Sequence, residues 1–225
     1  MKRKGICILS LLLMTAAMGK AQKSQTALSM ERQGLTDVTT LDNTLRVSLM
    51  YSRADNFTGR VLYKDLREAY LHPKAARALA KAQQLLQRQH PELSLIVFDA
   101  ARPLSVQKQM YDAVAGTPQA RYVSNPANGG GLHNFGLAVD LSICNAETGD
   151  TLDMGTVVDY LGPLAHTTDE ADMVRKGSIS ATARRNRELL RQVMRQAGFL
   201  SISNEWWHFE LVRRDEAKRL YRVIK

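Results

Sequence analysis

Five histidines occur in the 225 residues, and two of them sit among neighbours that suggest chemistry. His133 lies in Gly129-Gly-Gly-Leu-His133-Asn-Phe-Gly-Leu-Ala-Val-Asp140, a glycine-rich loop running into an apolar alternating stretch. Asp140 is flanked by Val139 and Leu141, so in a buried strand its carboxylate must be paired or bound to a metal. Gly136 lets the backbone turn closely between the two. Imidazole nitrogen with carboxylate oxygen suits Zn²⁺, whose catalytic sites add a third protein ligand and keep one position open. Asn204-Glu205-Trp-Trp-His208-Phe-Glu210 offers His208 as that ligand and Glu205 as a general base. In a regular strand residues three apart face opposite sides, so Glu205 and His208 share a site only through a bulge or turn. Taken singly, each histidine reads as a hydrogen-bonded structural residue; the combination points to a metal. Glu210 reads as a solvated strand residue, and the two tryptophans as either a wall that limits water or ordinary core.

The surrounding pattern must position these groups. Alternation over 44–51 predicts a half-buried strand leading into the turn cluster Asp55-Asn-Phe-Thr-Gly59. Pro73 opens a helix that presents Ala75, Leu79, Ala82 and Leu86 on one face and ends near His90-Pro91. Leu93 to Asp99 predicts a buried strand, 104–114 a helix, 115–131 a loop, and Leu137 to Ile143 a strand. After polar, irregular 160–180 comes an amphipathic helix over 181–197, a last strand through 199–211, and a basic tail helix. Helices and strands mix without regular βαβ alternation. The expectation is one α+β domain over 35–225: a central antiparallel or mixed sheet flanked by helices, with the zinc site in a cleft at the sheet.

Composition limits the class further. A chain 44% hydrophobic and 24% charged is neither disordered nor a disulfide scaffold. Lys2-Arg-Lys4, a short apolar run and Gly19-Lys20-Ala21 predict a signal peptide over 1–21, followed by a loose polar lead over 22–34. The apolar run is short for a bilayer, so no stable membrane insertion is expected after cleavage, and the protein is expected to be exported, periplasmic or secreted. Cleavage leaves 27 basic and 22 acidic residues, a net charge of +5. The basic residues are scattered and not interleaved with aromatics, which argues against nucleic acid as a partner. Only Cys144 remains, so there is no internal disulfide.

The motifs together resemble the M15 zinc peptidases, and within them the D-alanyl-D-alanine dipeptidases of the type found in vancomycin resistance. The match covers nearly the whole mature chain and runs in the family's order. It takes in Tyr51 with Asn56-Phe57-Thr-Gly59, Asp99-Ala-Ala-Arg102-Pro103, and His133-x-x-Gly136-x-Ala138-x-Asp140. Met154-Gly-Thr-Val-Val-Asp159 and Glu205-Trp-Trp-His208 complete it. The resemblance implies one Zn²⁺ per chain held by His133, Asp140 and His208, with Glu205 as the base and Arg102 opposite the oxyanion. It implies Asp159 as acceptor of a dipeptide's ammonium, with Tyr51 and Phe57 also binding substrate. Without the motifs, Arg102 would read as a surface salt bridge and Asp159 as a turn or helix cap. The family pattern has Ser where this chain has Gly131, and Ser124 is within reach in sequence to replace it. The export signal is a second departure, since the resistance-type enzymes are largely cytoplasmic.

The function implied is zinc-dependent hydrolysis of a small D,D-dipeptide in cell-wall peptide turnover. A D,D-carboxypeptidase or endopeptidase acting on peptidoglycan stem peptides uses the same groups in an open cleft. A zinc-bearing binding domain without turnover is a third reading, which Glu205 and Arg102 disfavour because a structural zinc site needs no base.

Overall fold

A computed structural model describes residues 22–225; the expected signal peptide, 1–21, lies outside the described residues. In chain order the elements are α1 (Gln25–Arg32), β1 (Thr36–Asp37), β2 (Arg46–Val47), β3 (Tyr70–Leu71), α2 (Pro73–Gln89), β4 (Leu93–Asp99) and α3 (Leu104–Val114). There follow β5 (Ala138–Asn145), α4 (Glu170–Arg175), α5 (Ala181–Ala197), β6 (Leu200–Ser201), β7 (His208–Glu210) and α6 (Arg214–Leu220). A five-stranded sheet has the order β2-β4-β5-β7-β6, and β1 and β3 form a separate antiparallel pair. Only the β2–β4 pairing is parallel, so the sheet is mixed, as expected for an α+β domain. Among the described residues, no helix is long and apolar enough to cross a membrane.

Local chemistry explains the element ends. His72 caps α2 through Nδ1, which accepts the Lys74 amide at 3.3 Å, and Pro73 takes the first helical position. Ser180 caps α5 by accepting the Ala183 amide at 2.8 Å, and Gly198 ends it with a φ of 107°. Leu79 and Leu86 of α2 share one core with Leu190 and Val193 of α5 and with the alternating Leu95, Val97, Val139, Leu141 and Ile143 of the central strands. Asp140 and Ser142 therefore point to the opposite sheet face.

The register of the central strands matters most for the site. β4 and β5 pair regularly from Leu93↔Asn145 to Val97↔Leu141, then shift so that Asp99 faces Asp140. Phe98 is the extra residue. Without it Asp99 would oppose Val139 and point into the core; the bulge turns it to the face that carries Asp140.

Four sequence expectations are corrected. The lead over 22–34 is not loose: Ser24 caps α1 by accepting the Ala27 amide at 3.1 Å, and Ala27 and Met30 are buried in the main core. Two anchoring positions in a short helix give too little periodicity to read. The strand over 44–51 shrinks to Arg46–Val47, because the chain folds into a 3₁₀ turn at Met50–Ser52 that buries Met50 and Tyr51. The last strand divides into β6 and β7, an antiparallel pair joined through 202–207. The irregular stretch contains α4, whose Glu170 is buried between Arg187 and Arg191 of α5.

Candidate active site

His133, Asp140 and His208 converge on the open face of the sheet, and one ligand atom from each lies within 4.8 Å of the others. Their positions follow from the elements. Asp140 and His208 are register partners on β5 and β7. His133 sits in a 3₁₀ turn over Leu132–Phe135 that ends at Gly136, with φ 66°. A side chain at Gly136 would stand 2.9 Å from the His72 amide nitrogen, so glycine is needed both for the conformation and for the close approach.

The donor set fits a metal. His133 Nε2 lies 3.2 Å from His208 Nδ1 and 3.2 Å from Asp140 Oδ2, and His208 Nδ1 lies 2.9 Å from Asp140 Oδ1. A tetrahedron with bonds of ~2.0–2.1 Å to nitrogen or oxygen has edges of about 3.3 Å, close to this spacing. The far nitrogen of each ring has an oxygen acceptor. His133 Nδ1 donates to the Ala100 carbonyl at 2.7 Å, and His208 Nε2 donates to Glu210 Oε1 at 3.3 Å. Those bonds leave the Nε2 lone pair of His133 and the Nδ1 lone pair of His208 aimed at the centre, the outer support that metal-binding histidines use. Burial by itself would push Asp140 up, but the two imidazoles draw its carboxyl well below the usual range.

Glu205 joins the cluster because the strand starts late. Residues 206 and 207 form a turn and β7 begins at His208, so the Glu205 Oε2–His208 Nδ1 separation is 3.9 Å. This is the turn that the sequence required. Burial pushes Glu205 up to about 8, reinforced by Asp140 and Asp159 and opposed by His208 and Arg102. Trp206 and Trp207 do not wall the site: both are core residues packed edge to face, and Trp206 Nε1 donates to Thr156 Oγ1 at 2.8 Å.

Arg102 is no surface residue. It is buried, with Nε donating to Asp99 Oδ2 at 2.9 Å, Nη2 bonded to the same oxygen, and Nη1 donating to Gln107 Oε1 at 2.8 Å. Nη2 also lies 3.8 Å from Asp140 Oδ2. Asp99 accepts a further bond from Tyr63 OH at 2.6 Å. The loop that carries Arg102 is stitched to the turn of His133, its amide donating to the His133 carbonyl at 3.0 Å.

Tyr51 donates its hydroxyl to Asp159, and its ring stands edge to face with Phe57 at 6.1 Å. Asp159 has φ 63°, the only non-glycine with positive φ among the described residues. Such a backbone costs of order 1–3 kcal/mol and persists where the surroundings over-determine it. Burial pushes its carboxyl up to about 7, with the charge of Asp140 adding to the rise. All eight residues singled out in the sequence line one cavity of about 390 Å³. Sequence reasoning took Glu210 for a solvated strand residue, whereas it faces His208 Nε2, and it gave no role to Asp99 or Gln107, which hold Arg102. Glu210 was detectable, since it lies two residues beyond His208 and so shares its strand face.

A mixed-sheet cleft with two supported imidazoles, three clustered carboxylates and a fixed guanidinium belongs to the class of metallopeptidases. The chain belongs to the M15 peptidase family, whose model, described as D-ala-D-ala dipeptidase, matches residues 31–225. A D-alanyl-D-alanine dipeptidase of Escherichia coli (strain K12) is 36% identical over 177 residues, spanning 79% of this chain and 84% of that protein. Another, of Enterococcus faecium, is 27% identical over 203 residues, 81% of this chain and 93% of that protein. A third, of Streptomyces coelicolor (strain ATCC BAA-471 / A3(2) / M145), is 29% identical over 187 residues, 74% and 86% respectively.

Proposed function

We propose that the protein is a zinc-dependent dipeptidase that hydrolyses free D-Ala-D-Ala. The observation that carries this reading is the strained, half-buried Asp159 against Tyr51 in the same cavity as the His133–Asp140–His208 cluster. Burial pushes this carboxyl up to about 7 although the charge of Arg102 opposes the rise, and a dipeptide's ammonium would favour its ionised form.

Zinc bound by His133, Asp140 and His208 would polarise the scissile carbonyl and acidify water there. Glu205 takes the proton of the attacking water and delivers it to the leaving amine nitrogen. A base is most effective when its pKa lies near the working pH, and burial moves Glu205 in that direction. Arg102, locked by Asp99 and Gln107, presents a fixed cation to the oxygen on which negative charge develops. Asp159 and Tyr51 hold the ammonium, and Phe57 packs beside them. The basic, apolar and small-residue pattern over 1–21 supports export, so the reading is turnover of D,D-dipeptides in the periplasm or outside the cell.

The test is hydrolysis by zinc-loaded protein of D-Ala-D-Ala, L-Ala-L-Ala, N-acetyl-D-Ala-D-Ala and a pentapeptide stem. Blocking the amine leaves Asp159 unpaired, so the free D,D-dipeptide should exceed the blocked one at least ~10-fold in kcat/KM. A stem peptide that proves the better substrate would establish a carboxypeptidase instead.

A further inference from the structure

Gly131 has ordinary extended backbone, φ −108° and ψ −174°, so its conformation does not call for glycine. A side chain there would crowd Ser124 and force its hydroxyl to move. A Cβ on Gly131 would lie 2.7 Å from Ser124 Oγ and 3.2 Å from Ser124 Cβ. The serine thus occupies the space of the missing side chain, two residues before His133. Its main chain is anchored, because the Ser124 carbonyl accepts Gln107 Nε2 at 2.8 Å while Gln107 Oε1 holds Arg102. Its hydroxyl is free of hydrogen bonds to other described residues, and Ser124 lines the cavity beside Gly131.

A cation is fixed at this end of the cavity: Arg214, which lines it, donates through Nη2 to the carbonyl of Gly130, the neighbour of Gly131, at 2.6 Å. Tyr51 and Asp159 form an acidic part built from other segments. A zwitterionic dipeptide whose ammonium is held at Asp159 would therefore turn its carboxylate toward Arg214.

Resting on the dipeptidase reading, we propose that Ser124 is a substrate-binding residue whose hydroxyl donates to the C-terminal carboxylate of the dipeptide, and that Gly131 is glycine to leave it room. The shared space gives two ways to disturb one contact. Ser124→Ala removes the donor, and Gly131→Ala pushes the same hydroxyl out of place without removing it. Loss of one hydrogen bond to a charged group corresponds to roughly tenfold in KM.

The experiment measures steady-state kinetics of the zinc enzyme on D-Ala-D-Ala and on its C-terminal amide, with melting curves to verify folding. Each single variant should raise KM for the free acid roughly tenfold, change kcat little and leave the amide nearly unaffected. The double variant should be no worse than either single one, because both act on one group. An unchanged KM, equal losses on acid and amide, or additive losses in the double variant would overturn the inference while leaving the dipeptidase intact. A parent enzyme inert toward D-Ala-D-Ala would instead overturn the proposed function, and the inference with it.

Discussion

Asp140 and His208 face each other as register partners on β5 and β7, with 2.9 Å between Oδ1 and Nδ1. The sheet's own pairing therefore builds one edge of the candidate metal site, and only His133 arrives from a turn. Replacing His133, Asp140 or His208 by Ala should abolish both bound zinc and hydrolysis. Glu210→Ala removes only the outer partner of His208, so it should keep the fold and weaken zinc ~10–100-fold, read by chelator competition. Full zinc content in all three ligand variants would refute the assignment.

Glu205→Gln keeps the shape of the side chain but cannot accept a proton. Zinc content should stay at the parent level while kcat falls ~10²–10⁴-fold. Near-parental turnover would transfer the base role to another group.

Asp99 is fully buried, and Arg102 depends on it for two of its bonds. Removing one partner of a buried pair leaves the other uncompensated, a cost of ~3–5 kcal/mol. Asp99→Ala should therefore lower stability by that order in urea denaturation. A loss under ~1 kcal/mol would place the pair among weak surface contacts.

The carboxyl of Asp159 sits at about 7 in the folded protein against an ordinary 3.8. The unfolded chain then ionises first as pH rises, so this group subtracts stability across that window and no more above it. Asp159→Asn cannot ionise and still accepts from Tyr51. The metal-free variant should gain in Tm relative to the parent between about pH 4 and 7, and zinc should narrow the gap by favouring the ionised form. A gap that does not change with pH would show Asp159 charged throughout.

Met30 of α1 is buried in the main core, although the sequence around it reads as a loose lead. Met30→Ala should cost ~2–5 kcal/mol, measured as a lowered urea midpoint. A surface-like change under ~0.5 kcal/mol would detach α1 from the cooperative fold.

Much of this protein is legible in its amino-acid sequence alone. Helices over 104–114 and 181–197 and the strand over 93–99 coincide with α3, α5 and β4, because long periodic runs with clear stops carry their own signal. Residue type and spacing single out His133, Asp140, Glu205 and His208, and the turn before His208 follows from strand geometry. The tertiary structure decides what depends on partners distant in sequence. Asp99 reaches Arg102 only because one bulged residue turns it to the site face, and Ser124 explains Gly131 only once a 3₁₀ loop folds back. Met30 becomes core only because residues distant in sequence close around it in the main cluster. Periodicity records which side of an element is apolar, whereas bulges, loop returns and short helices are settled by packing against elements that a local stretch of sequence does not contain.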